Sequence, residues 1–253
     1  MNRRLTNLAR RLLDDWLPPA LRDNRRLIRP LMGWWFAGTP DLDAVLDFKE
    51  RAWGLSDAEL AELYATLRCR GDRRPTDATD GGLAWIARRI PRDCRTLLDV
   101  GCGRGYWARQ CARAGLRVTG CDLVRRWDDP EIAFRAGSVE DLPFADRSFD
   151  VVTCLHTLEH VRRLETAVAE LCRVCRRELF IIVPCQRAYR YTPDLHLHFF
   201  QSPGHFLAVS GLSGACCELV EGDIVCQASM PAPPAGPGRA VVRAAVGASG
   251  VLT

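Results

Sequence analysis

Residues 97–107 read LLDVGCGRGYW, and this stretch decides the fold. An apolar run ends in the acid Asp99, glycines follow at 101, 103 and 105, and a bulky, helix-like segment begins at Tyr106. That order is strand, turn, helix, and glycines in the turn let backbone come close to a bound ligand. On this evidence alone the ligand is a dinucleotide phosphate, a nucleoside without phosphate, or nothing.

Outward from the turn the same alternation continues. LAWIARRI (83–90) predicts a helix, RTLLDV (95–100) a strand and YWARQCARAG (106–115) a helix. RVTGCD (117–122), a short segment near Ala133 and FDVVTCL (149–155) predict strands. LETAVAELCRVC (164–175) then predicts a helix and ELFIIVP (178–184) a strand. Strands alternating with helices over about 100 residues make βαβ units, hence an α/β, doubly wound, mostly parallel sheet covered on both faces.

Residues 1–80 read instead as a helical cap. Leu5, Leu8, Leu12, Leu13 and Trp16 fall at helix spacing before Pro18 and Pro19 stop the run. SDAE, with Ser56 and Glu59 three apart, is a capping box opening a helix over 56–67. Between them, GWWFAGTP (33–40) reads as an aromatic turn. The first 35 residues carry eight arginines against three aspartates. A basic amphipathic segment of this kind suits a membrane surface, but a lid docking its apolar face on the main domain is the reading preferred. Residues 81–253 form the α/β domain, with a substrate-side insertion at about 186–213. PAPPAGPGRA is a linker, and AVVRAAV after it is an expected edge strand.

Bulk properties narrow the class. A chain of 253 residues with 47% hydrophobic and 26% charged content is an ordinary globular protein. A net charge of +4 is too mild to imply a nucleic-acid partner. Twelve cysteines in a chain this long, behind a start without the apolar core of a signal peptide, are expected to be reduced thiols in a cytoplasmic protein. Cys172 and Cys175 lie in a helical apolar pattern with no second such pair, so core packing is expected there rather than zinc, and Cys216-Cys217 carries no metal signal either. No stretch reaches the length of a membrane span.

The ligand question sharpens at the next strand end. Asp122 closes RVTGCD 23 positions after Asp99, the spacing at which an acid on the second strand accepts ribose hydroxyls. A dinucleotide fingerprint would place glycine or alanine where Tyr106 stands. Lys49, the only lysine, lies upstream of the turn, which excludes both a phosphate-binding P-loop and Tyr-x-x-x-Lys dehydrogenase chemistry.

LLDVGCGRG, VTGCDL and AGSVEDLPFADRSFDVVTCLHTLEHV, in that order and spacing, resemble the motif series of class I (Rossmann-like) S-adenosylmethionine-dependent methyltransferases. The likeness is to the bacterial type 11 group and covers about residues 95–184. It implies the seven-stranded-type sheet of that class and S-adenosyl-L-methionine as cofactor, with S-adenosyl-L-homocysteine as product. Carried over by residue, Asp99, Gly101, Cys102 and Gly103 would hold the methionine end and Asp122 the ribose. Leu123 would pack on adenine, and the Leu155 carbonyl would lie near the methionine amine. The family's third motif begins Gly-Asp, whereas Gly137-Ser138 stands here, so Ser138, Val139 and Glu140 are the adenine-side candidates.

The acceptor side rests on histidines. All five fall between His156 and His205. His156 follows a strand end where substrate meets cofactor, and His196 and His198 alternate with leucines and so share a face. These three are the candidate bases, needed only if the acceptor arrives protonated; His160 reads as structural. Asp194, His196 and His198, with or without His156, are metal-ligand types, but methyl transfer needs no metal and none is assigned. Trp34, Trp35, Phe36 and Trp53 are candidates for an aromatic acceptor wall or for the lid's own core. The expected protein is an enzyme that methylates O or N, or C, of a small specialised metabolite, as a monomer or homodimer without nucleic-acid or integral-membrane partners. Its rivals are an enzyme using the sulfonium for cyclisation or elimination, and a silent binding partner of the same fold.

Overall fold

The computed structural model describes residues 18–37, 39, 41–66, 75–188, 190–191 and 195–231. The helix expected from Leu5 to Trp16, the edge strand expected in AVVRAAV, and Asp194 lie outside these residues.

The stretch around Asp99 forms the centre of the sheet. β1 (Thr96–Val100) is buried at every position and lies between two parallel neighbours, β2 (Arg117–Asp122) and β4 (Phe149–Leu155). Successive side chains of a strand point to opposite faces, and the paired leucines serve both. Leu98 joins a core with Val152, Val168 and Leu171. Leu97 joins a second with Trp85, Trp107 and Ala108. Each buried leucine contributes about 1.5–3 kcal/mol of transfer free energy.

With β3 (Ala133–Ala136), β5 (Cys175–Pro184), β6 (Cys216–Val220) and β7 (Asp223–Ser229), the sheet has seven strands in the order β3-β2-β1-β4-β5-β7-β6. The first five are parallel, while β7 runs antiparallel to both β5 and β6. Parallel strands need crossovers, supplied by α7 (Tyr106–Arg113) between β1 and β2 and α8 (Leu164–Val174) between β4 and β5. Earlier helices are α1 (Pro19–Arg22), α2 (Arg25–Trp35), α3 (Leu42–Leu46), α4 (Phe48–Arg51), α5 (Asp57–Thr66) and α6 (Asp80–Ala87). α9 (Pro203–Ser210) precedes β6.

Three expectations change. The β6–β7 hairpin, which the sequence reading passed over, supplies an antiparallel edge. It turns on Glu221 and Gly222, both at positive φ (51° and 92°), a tight turn whose residues are not the usual Asn-Gly. Its register sets Cys217 opposite Cys226, with Cα atoms 4.1 Å apart, and the two are joined as a disulfide. The all-thiol expectation therefore fails at this pair, because directly opposed residues of an antiparallel ladder lie within bridging reach. Cys172 and Cys175 are free and pack against the core, as read. Residues 33–35, expected as a turn, are the last turn of α2, whose Ile28, Met32 and Trp35 are buried. That burial outweighs the loss of a helical hydrogen bond at Pro30.

The capping box at α5 forms as read: Ser56 N donates to Glu59 Oε2 (2.7 Å), and Glu59 N donates to Ser56 Oγ (3.3 Å). The cap's core of Met32, Phe36, Leu46 and Phe48 extends onto Tyr191, Leu195 and Leu197. The cap thus packs on the segment carrying the paired histidines.

Candidate cofactor and acceptor site

The glycine turn lies at the carboxyl ends of β1 and β2, where open α/β sheets bind ligands. Gly101 N donates to Cys121 O (2.8 Å) and Cys102 N to the same oxygen (3.2 Å), tying the turn to the end of β2. Gly101 (φ 68°) has no room for a side chain, since a Cβ would lie 1.9 Å from Thr157 Oγ1. Gly103 (φ 52°) is the opposite case: a Cβ there would meet nothing nearer than Gly101 O at 4.0 Å. One glycine is closed by the protein; the other faces open space.

Two carboxylates frame the turn in different ways. Asp122 Oδ2 accepts from Gly103 N (2.8 Å), and the Leu123 and Val124 N–H groups also bond this carboxylate. Burial raises its pKa, against the backbone N–H groups that favour the charged form. Asp99 is 2% exposed. It accepts from Thr153 Oγ1 (2.9 Å) and from the Ala108 N–H in the first turn of α7. Burial lifts Asp99 to about 7, with the Thr153 bond opposing and the Asp122 charge adding. Asp99 therefore anchors strand to helix beneath the turn. The expectation that it touches the ligand is corrected by this burial.

Beyond β4 the chain enters a histidine-rich layer. His156 takes φ 49°, and its N–H donates to Ile182 O (2.8 Å). Its ring lies between two buried carboxylates, Glu159 Oε1 at 3.1 Å from Nδ1 and Asp223 Oδ1 at 3.3 Å from Nε2. Burial alone would lower its pKa, but the Asp223 and Glu159 charges and bonds outweigh it and raise it to about 10. A ring held protonated cannot accept a proton, which overturns the reading of His156 as base. Asp223 Oδ2 also accepts from Thr79 N (3.0 Å), so this ion pair fastens the start of β7 to the N-cap of α6.

His196 is 4% exposed, and its Nδ1 meets Gln186 Nε2 at 2.5 Å. Its ring stands edge-on to His160, 4.8 Å away between centroids. His198 differs from both. Burial lowers its pKa, opposed by a bond to the Val161 backbone, and its Nε2 is buried without a hydrogen-bond partner. It is a neutral imidazole with one nitrogen uncommitted, flanked by Trp53 (6.2 Å) and Phe200 (6.4 Å).

A family model described as a methyltransferase domain matches residues 98–183. Over this stretch the chain is similar to that family. The ubiquinone biosynthesis O-methyltransferase of Paracidovorax citrulli is 42% identical over 91 residues, covering 31% of this chain and 38% of its own. The protein of the same description from Hahella chejuensis is 31% identical over 149 residues, covering 54% of this chain and 58% of its own. The chain thus spans less than two thirds of the length of these curated relatives. A chain from the solved complex of the Haloferax volcanii Trm112 methyltransferase activator with a methyltransferase shares the fold. There the TM-score is 0.50 at 15% identity, over 73% of this chain and 98% of that one.

Within the matched stretch, the loop after β3 sorts its candidates. Glu140 is 7% exposed, and both its oxygens are committed. Oε1 accepts from Arg162 N (2.7 Å) and Arg163 N (3.0 Å), and Oε2 from Arg163 Nε (2.7 Å). It clamps the entry to α8 and is withdrawn as an adenine contact. Ser138 Oγ accepts from Glu140 N (3.2 Å), making it a turn former, while Val139 remains half-buried beside the core. Leu155 O accepts from Thr157 Oγ1 (3.1 Å), and Leu123 is half-buried next to Asp122. Cys102 is a buried thiol, its pKa driven up by desolvation.

Sequence reasoning missed Trp127. Its ring lies where a Cβ on Gly105 (2.8 Å) or Gly120 (3.0 Å) would go, stacking the β2 side of the glycine turn. A tryptophan five residues after the strand-end acid, opposite two glycines, was the available signal. Of the cap aromatics, Trp35 and Phe36 are buried in the cap's core, whereas Trp34 and Trp53 are half-exposed.

Proposed function

We propose that this chain transfers the methyl group of S-adenosyl-L-methionine to an oxygen or nitrogen, or a carbon, of a small molecule. One observation carries the reading: a strand-end carboxylate, Asp122, bonded to Gly103 N beside a glycine whose side-chain position is open. A carboxylate fixed by a loop amide is preorganised to accept two neighbouring hydroxyls, and an open glycine admits a ligand against backbone. These residues fit the nucleoside and methionine parts of the cofactor. When bound, the cofactor supplies an electrophilic methyl on a sulfonium.

The chain's own residues then have four tasks. The turn of Gly101, Cys102 and Gly103, its N–H groups already donated to Cys121 O and Asp122, takes the methionine end against the open side of Gly103, and the Leu155 carbonyl is assigned to its amine. Asp122 takes the ribose. Leu123, the Val139 amide and Ser138 border the adenine. Asp99 positions the turn from beneath. The cap and the 186–200 segment cover the acceptor side, where excluding water and aligning the acceptor in line lowers the barrier. His198, neutral and with Nε2 uncommitted, accepts the proton when the acceptor arrives as O–H or N–H. This reading carries with it a small-molecule partner and a monomer or homodimer.

Isothermal calorimetry with S-adenosyl-L-methionine and S-adenosyl-L-homocysteine tests the cofactor assignment; micromolar binding of both is expected, and no heat with either removes the reading. Mass spectrometry of a turned-over acceptor, looking for a gain of one CH2 unit, then separates methylation from cyclisation or elimination. Replacing His198 with Asn should lower kcat by about 10²-fold with cofactor affinity kept; unchanged turnover leaves alignment as the whole mechanism.

A further inference from the structure

Among the described residues, Glu159, His160 and His196 bring one donor atom each to within 4.8 Å of one another. The group is deep in the fold: Glu159 is 0% exposed and His196 4%, while His160 is partly exposed. Glu159 Oε1 accepts from His156 Nδ1, but Oε2 is buried with no hydrogen-bond partner. A buried carboxylate oxygen left without a partner is costly, and a cation would satisfy it.

The ring orientations fit the same reading. His160 Nδ1 lies 3.2 Å from Leu195 O, so Nδ1 carries the proton and Nε2 the lone pair. His196 Nδ1 meets the Gln186 amide, whose Oε1 is itself buried without a partner. Turning that amide over on metal binding gives Oε1 the His196 Nδ1 proton and leaves the Nε2 lone pair for the metal; Nε2 lies 4.0 Å from Glu159 Oε1. Metal-bound histidines show this pattern, with the distal N–H given to a carbonyl and the ligating carboxylate hydrogen-bonded in turn.

We propose that Glu159, His160 and His196 bind one divalent first-row transition-metal ion of the zinc type, at the acceptor side of the domain. Two imidazoles and a carboxylate select such an ion over magnesium or calcium, which take oxygen ligands. Bonds of about 2.0–2.1 Å in tetrahedral geometry set donors about 3.4 Å apart, so the widest pair closes by about 1.4 Å on binding. Three protein donors leave one position open, and the partly exposed His160 edge is the way in. The site stands or falls independently of the methyl-transfer reading.

The test uses the full chain, stripped with a chelator, dialysed against zinc chloride, desalted and assayed for metal by plasma mass spectrometry. About one zinc per chain is expected, retained in His205→Ala and weakened at least about tenfold in His160→Ala and His196→Ala. Cobalt loading of the wild-type chain should give visible absorption bands of an imidazole-ligated ion, displaced by zinc. Circular dichroism of each variant separates lost binding from lost folding. Wild-type protein that leaves dialysis without stoichiometric zinc and shows no cobalt bands overturns the proposal. Folded His160→Ala and His196→Ala variants with undiminished zinc also overturn it.

Discussion

The glycine turn and the histidine layer lie on neighbouring strand ends, yet they are built by different rules. At the turn the backbone decides: Thr157 leaves Gly101 no space for a side chain, while Gly103 faces open space. At the histidine layer polar groups accumulate instead: His156 lies between Glu159 and Asp223, and His196, bonded to Gln186, stands 4.0 Å from Glu159. The first region is a backbone shape fixed by its neighbours. The second is a polar network in a low-dielectric interior, where each member's role depends on its partners.

The contrast is broken most directly at Gly101. Gly101→Ala should cost about 2–5 kcal/mol of unfolding free energy, combining left-handed strain with overpacking against Thr157. Urea denaturation measures it, and Thr157→Ala in the same chain should recover part of the loss by removing Oγ1 and Cγ2. A Gly101→Ala protein as stable as wild type would mean that the turn is not closed by Thr157.

Asp99 provides the next largest effect, through pH. Its folded pKa of about 7 lies above the ordinary 3.8, so the folded state holds the proton more tightly than the unfolded chain does. Stability therefore falls as pH rises from about 4 to 7 and is flat above. The burial penalty at neutral pH is of order 2–4 kcal/mol. Asp99→Asn should flatten that slope and, at pH 8, raise the melting temperature of the cofactor-free protein. An unchanged pH profile would show that Asp99 is charged in the fold.

Asp122→Ala follows, with a loss of about 1.5–3 kcal/mol in S-adenosyl-L-methionine binding by calorimetry, the scale of hydrogen bonds to a charged group. Its effect on folding should be smaller, because only the Gly103 N–H and neighbouring amides lose a partner. Unaltered affinity would place the ribose elsewhere.

The two regions also differ in how far they could be read from the chain. βαβ alternation and the glycine spacing are local, so the five parallel strands, α7, α8 and the strand-end position of Asp122 follow from residues 95–184. The β6–β7 hairpin was not legible, because Cys216–Val220 is an edge strand exposed or half-exposed throughout and lacks an apolar run. Glu140 was misassigned for a related reason. Its partners Arg162 and Arg163 lie 22 and 23 residues away, and nothing local shows that a carboxylate is already spent. The same holds for His156, whose second carboxylate, Asp223, lies far along the chain on β7. Spacing placed the histidines near one another; only the fold decides which ring is cationic, which is buried and which is left with a nitrogen to offer.

The smallest effect probes the border between the regions. Trp53 is 56% exposed and meets His198 of the network edge-on, 6.2 Å between ring centroids. Trp53→Ala should change unfolding free energy by no more than about 0.5 kcal/mol, as surface substitutions do. Cofactor affinity should also stay constant, since Trp53 belongs to the cap and Asp122 to the turn. If the cap covers the acceptor, KM for the acceptor rises while kcat is held near its wild-type value, because an aromatic wall binds ground and transition states alike. A change in cofactor affinity would instead couple the two regions, and the division drawn at β4 would have to move.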